Sequence, residues 1–117
     1  MEAVNYQQFA QEWIAGWNGH DLEQILSHYE EGFEMYSPGI TQLTGEPSGM
    51  FKGKEAVGAY WAGALQKFPD LHFKLLHVLN GVSSVTLVYE GVLGLSAEVF
   101  HFGASGLVSK AFAHYGQ

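Results

Sequence analysis

No cysteine occurs among the 117 residues, so disulfides, thiol catalysis and thiolate-bound zinc are excluded. Arginine is absent as well, and the five basic residues are all lysines. Arginine is the planar fork that grips phosphates and carboxylates at two points. Five scattered lysines under a net charge of −7 do not make the basic surface that nucleic acid requires. Nucleic acid is therefore not an expected partner. No apolar run approaches the roughly 18 residues that span a bilayer, so no membrane partner is expected either. The opening MEAVNYQQFAQEW lacks the basic and apolar regions of a secretory signal, and the expected location is the cytoplasm. Charged residues make up 15% of the chain and aromatic residues another 15%. That balance points to a large apolar interior or cavity within one domain, residues 1–117.

Periodicity divides the chain into helices first and strands afterwards. Tyr6, Phe9, Ala10, Trp13 and Trp17 form one apolar stripe, which predicts a helix over 4–17 that Asn18-Gly19 stops. Asp21, with Gln24 three residues on, is a capping-box start for a second helix reaching about Tyr29. A short strand, Phe33–Ser37, ends at Pro38. Residues 38–52 carry two prolines and three glycines and read as a long loop, with Met50 and Phe51 as candidate covers for a cavity mouth. Val57, Tyr60, Trp61, Ala64, Leu65 and Phe68 hold helical spacing over 53–68, and Pro69 forbids continuation. Strands follow at 71–79, 83–93, 97–102 and 107–115, with turns at Asn80-Gly81 and 103–106. Helices followed by a meander form an α+β arrangement with the helices on one sheet face.

Several segments together resemble a known family: NGHDLEQIL (18–26), Tyr36-Ser37-Pro38, GKEAV (53–57), FPDLHF (68–73) and VFHF (99–102) followed by Gly106, Leu107 and Val108. In order and spacing they are similar to the nuclear transport factor 2-like superfamily, in its SnoaL-like and ketosteroid-isomerase-like branch, over nearly the whole chain. The resemblance implies a cone-shaped α+β barrel in which three N-terminal helices close a pocket against a curved mixed or antiparallel sheet. It also implies a homodimer through the outer sheet face. It does not imply one activity, because the superfamily holds isomerases, cyclases, hydrolases, dehydratases and binders.

Ketosteroid isomerases use a tyrosine on the first helix and two aspartates, and the matching positions here are Trp13, Ser37 and Glu98. A serine hydroxyl is no general base near neutral pH without help. SnoaL-like cyclases carry an acid on the last strand, where Ala113 stands, and the epoxide-hydrolase members need an arginine. Glu98 therefore remains as the leading catalytic candidate. Strand alternation puts Glu98, Phe100 and Phe102 on one face, which the resemblance makes the pocket face. Among aromatic side chains its carboxyl should be hard to ionise and able to donate a proton; the alternative is a carboxylate at the rim, solvated or satisfied by the Trp13 or Trp61 indole N–H.

His77 is the second candidate. It falls in the set Leu71, Phe73, Leu75 and Leu79 that alternation turns inward, and imidazole suits proton transfer at neutral pH. The alternative is a hydrogen-bonded core histidine. Trp13, Trp17, Met35, Ser37, Trp61, Phe73, Phe100 and Tyr115 are the expected pocket walls, fitted to a small hydrophobic molecule, with carbonyl-bearing ones among the candidates. The six histidines show no metal-ligand spacing, so neither a metal nor a cofactor is expected. Two functions follow: proton transfer of the isomerase, cyclase or dehydratase type, or a non-catalytic carrier or interaction module with a vestigial pocket.

Overall fold

Asn5 opens the first helix by accepting a hydrogen bond at Oδ1 from the Gln8 N–H at 3.0 Å, which satisfies one of the free donors of the first turn. A computed structural model describes residues 4–116. Helix α1 is Tyr6–Asn18, and its apolar stripe buries Phe9, Ala10, Trp13 and Trp17. Asp21 then accepts from the Gln24 N–H at 3.1 Å, as its capping position predicts. Helix α2 is nevertheless only Leu22–Leu26. Tyr29 belongs instead to strand β1, Tyr29–Tyr36, where it is fully buried.

The expected loop 38–52 holds two elements. Ser37 Oγ accepts from the Gly39 N–H at 3.1 Å and Pro38 sits in the first turn, so helix α3 forms over Pro38–Thr44. Proline there loses no hydrogen bond, because first-turn N–H groups have no helical partner. Gly45, at φ 80°, ends α3 in the left-handed region that glycine tolerates. Strand β2, Met50–Lys52, then pairs with β1. Met50 and Phe51 are thus sheet residues, and neither covers the cavity mouth. Helix α4, Lys54–Lys67, buries Val57, Gly58 and Trp61.

Four further strands complete the sheet: β3 Lys74–Gly81, β4 Ser84–Gly91, β5 Gly94–Phe102 and β6 Val108–Tyr115. The order is β2-β1-β6-β5-β4-β3, with β1 and β6 parallel and every other pair antiparallel. The sheet is mixed and does not close, so the expected barrel is an open cone in which the helices supply the missing wall.

The sequence between α1 and α2 has a clear mechanical role. The Asn18 side chain accepts from the Phe73 N–H at 2.6 Å and donates to the Phe73 carbonyl at 3.0 Å. His20 Nε2 meets the Leu71 carbonyl at 2.9 Å. Together they fasten 71–73 to the end of α1, so this segment runs as an anchored lead-in rather than as part of the strand.

Candidate functional site

Strand register assigns a depth to each inward side chain, since neighbouring strands align their residues in rows and alternate residues share a face. Nearest the β4–β5 turn lies the row Leu75, Tyr89, Ser96 and Tyr115; next comes Leu87, Glu98 and Ala113; then Val85, Phe100 and Ala111. Helices α1 and α4 cover these rows with Trp13, Trp17 and Trp61. Between them is a cavity of about 130 Å³ that opens to solvent at one end, small beside the roughly 300–1,000 Å³ of drug-sized ligand sites.

Trp13, Trp17, Met35, Ser37, Trp61, Phe73, Glu98 and Tyr115 all line this cavity. Phe100 does not. It is fully buried one row beyond Glu98, with its ring 5.3 Å from that of Trp13 and 5.0 Å from that of Phe9, and it seals the floor as core.

His77 departs furthest from expectation. Leu75 pairs with Tyr89 but His77 pairs with Val88, so Leu76 is an extra residue in β3. Such a bulge shifts the alternation by one. Val78 packs on the core, whereas His77 and Leu79 are exposed on the outer face. His77 and Glu98 therefore do not meet across the pocket. Strict alternation could not reveal this, because the bulge is visible only in the pairing.

Glu98 is 4% exposed. Its Oε1 accepts a long hydrogen bond from the Tyr89 hydroxyl at 3.4 Å, and its Oε2 is buried without a partner among the described residues. An ionised carboxylate in that setting would be strongly penalised. Burial accordingly pushes the carboxyl from an ordinary 4.5 up to about 8, against a small opposing pull from the Tyr89 hydroxyl. At neutral pH it is mainly a carboxylic acid, with a proton to donate.

The groups around it are tyrosines. Tyr89 and Tyr29 are raised well above 10 by burial first and by the nearby Glu98 second. Tyr115 is pushed up to about 12 for the same reasons, and its hydroxyl lies 3.3 Å from Ser37 Oγ. Burial also raises Tyr60. These phenols stay protonated at any ordinary pH; Tyr60, Tyr89 and Tyr115 line the cavity with hydroxyl groups, while Tyr29 lies behind its wall.

Tyr60, Tyr89, Ser96, Leu43, Val92 and Leu93 also line the cavity and were not singled out by sequence. For Tyr89 the signal was present: Val85, Leu87 and Tyr89 alternate inward on one strand. Leu43 was hidden in the segment read as a loop, and Val92 and Leu93 at the end of the β run read over 83–93, where the chain in fact already turns.

A SnoaL-like domain model matches residues 10–106 of the chain. A SnoaL-like protein of unknown function from Burkholderia thailandensis is similar over 99% of this chain and 100% of its own, at 55% identity and a TM-score of 0.94. A candidate isomerase of the SnoaL-like family from Agrobacterium tumefaciens shares the fold at 18% identity, with a TM-score of 0.75 over 96% of this chain and 97% of that one. An NTF2-like protein of unknown function from Cytophaga hutchinsonii does so at 12% identity, with a TM-score of 0.74 over 98% and 93%. No curated protein matches the sequence.

Proposed function

The chain belongs to the SnoaL-like family, and from that premise we propose that it binds a small hydrophobic, carbonyl-bearing molecule whose oxygen accepts a hydrogen bond from the Glu98 carboxyl. The observation that carries this reading is the unpartnered Oε2 of Glu98 on an aromatic-lined cavity. A buried polar atom without a partner costs about 1–3 kcal/mol, and a ligand carbonyl removes that cost. Proton donation from the same carboxyl to a substrate oxygen is the catalytic form of this interaction, suited to isomerisation or dehydration.

A carrier without turnover is the second reading. The observation favouring it is that Glu98 has no matched base: the ionisable groups around it are Tyr29, Tyr60, Tyr89 and Tyr115, each held protonated by burial.

Calorimetric titration with 2-octanone tests the binding step that both readings share. Saturable binding is expected at pH 6–7, weakening about tenfold per pH unit above 8 as the donor proton is lost. Glu98→Gln keeps a donor that does not titrate, so its affinity should be flat across the same range. His77→Ala should bind as wild type does. Wild-type affinity that ignores pH, or no saturable binding, would overturn the proposal.

A second copy of the chain is the proposed partner, across the outer sheet face. There Phe112 stacks on Tyr36 with ring centroids 4.7 Å apart and planes 9° from parallel, and Leu79 and Leu95 are each 57% exposed. Light scattering should give a dimer for the wild type and a monomer for Phe112→Glu, since a buried unpaired charge at an interface costs several kcal/mol. A wild-type monomer at micromolar concentration would remove this partner.

A further inference from the structure

The cavity reverses the usual polarity of a surface opening. Its deep rows carry the polar groups: Glu98 near the floor, then Tyr89, Ser96 and Tyr115. Its rim is apolar. Leu43 on α3 faces the mouth from one side, and Val92 and Leu93 on the β4–β5 turn face it from the other. These three side chains line the cavity while remaining 44%, 42% and 50% exposed. Large apolar side chains scattered singly over a surface need no explanation, but three converging on one opening amount to an apolar patch with a place in the site.

Resting on the proposal that a carbonyl group reaches Glu98, we infer that Leu43, Val92 and Leu93 determine which ligands are held, selecting molecules with a polar head and an apolar tail long enough to reach the rim. The head enters first and stops in the donor-rich floor below which Phe100 closes the core. The tail runs outward past the aromatic walls and covers the three exposed side chains. From Glu98 to Gly94 the strand climbs four residues, about 13 Å at the rise of an extended chain, which matches roughly ten carbon–carbon bonds of an extended alkyl tail. A ketone shorter than this fills the floor and leaves the rim wet. A longer one gains nothing from its further carbons, because they lie beyond the protein.

The rim is also placed for specificity without a cost to the floor. Val92 and Leu93 sit at a hairpin tip, where Gly94 at φ 86° makes the turn, and their side chains support no core packing. Changing them alters the mouth alone. Leu43 belongs to a separate element, so the two sides of the rim can be tested independently.

The test is calorimetric titration of the full chain at pH 6.5 with 2-alkanones from 2-butanone to 2-tetradecanone. Affinity should rise about three- to fourfold per methylene, as expected for apolar burial, and level off near ten to twelve carbons. Leu93→Ser and Leu43→Ser should each weaken 2-decanone about five- to tenfold while leaving 2-pentanone unchanged, because only the longer tail touches the rim. The circular dichroism melting curves of both variants should overlay the wild type, which separates a specificity effect from misfolding. Equal weakening of short and long ketones, or no weakening of either, would overturn the rim assignment while leaving the Glu98 anchor intact. The wild-type titration with 2-pentanone is repeated at pH 9, and an affinity equal to that at pH 6.5 would instead remove the anchor, and the rim assignment with it.

Discussion

Replacing Glu98 with glutamine is expected to stabilise the protein, and to do so far more at pH 8 than at pH 5. The folded carboxyl holds its proton up to about pH 8, whereas an exposed carboxyl in the unfolded chain gives it up near 4.5. Between those values the native state binds the extra proton, so raising the pH favours unfolding. Below 4.5 both states are protonated and this stabilisation is complete; above about 8 it is gone. Each pH unit in the window costs about 1.4 kcal/mol, or on the order of 5 kcal/mol across it. Glutamine has nearly the same shape and no proton to lose, so its stability should be almost flat where the wild type declines. Urea unfolding of both proteins at pH 5, 6.5 and 8 reads the effect directly. The gap between them should widen by several kcal/mol, a large share of the 5–15 kcal/mol typical of a small domain. Parallel declines would mean that Glu98 is hydrated and ionised in the folded state, and that the cavity has no neutral acid to offer.

The same substitution links stability to function. A residue that makes the fold weaker as the pH approaches neutrality is a poor choice for a purely structural position, where leucine or glutamine would serve better. Strain of this kind is characteristic of sites that need a tuned acid. The proposed carbonyl ligand supplies the partner that Oε2 lacks, so ligand binding and recovery of stability are two measures of one interaction.

Much of this was legible in the sequence where periodicity is unbroken. The stripe of α1, the spacing of α4 and the alternation of Ala111, Ala113 and Tyr115 each assign a face, and the structure agrees with each. Glu98 followed from the same alternation on β5. What escaped was local departure from period. The extra residue at Leu76 turns His77 outward, and nothing in Leu71–Leu79 distinguishes a bulged strand from a regular one. Helix α3 was hidden by the prolines and glycines around it, although Ser37-Pro38 is a good helix start once seen: a side-chain cap followed by a residue that needs no N–H. The tip of the β4–β5 hairpin was misplaced because Val92 and Leu93 are apolar, and an apolar turn tip resembles the end of a strand. That disguise has the same cause as its interest, since the residues at the tip are apolar where they frame the cavity.

The tryptophans separate core from wall, and Trp13 should prove to be core. It is 1% exposed, its ring lies 5.3–5.6 Å from those of Phe73, Tyr89 and Phe100, and its indole N–H donates to the Tyr29 hydroxyl at 3.0 Å. Trp13→Ala is expected to cost about 4–5 kcal/mol, the upper range for emptying a large aromatic site, with a further penalty because Tyr29 loses its partner in a dry interior. Trp13→Phe keeps much of the volume but not the hydrogen bond and should cost about 2–3 kcal/mol. Trp17, one turn along the same helix, makes the comparison sharp. It is 5% exposed and lines the same cavity, but its indole N–H has no partner among the described residues. Trp17→Phe therefore removes an unsatisfied donor along with some contact, and should cost about 1 kcal/mol or less. Thermal and urea unfolding of the two phenylalanine variants side by side checks the difference. Equal losses would mean that the Trp13–Tyr29 bond contributes nothing net. A larger loss at Trp17 would mean that its N–H is satisfied in the folded protein, by a water or by the face of the Trp61 ring 5.3 Å away.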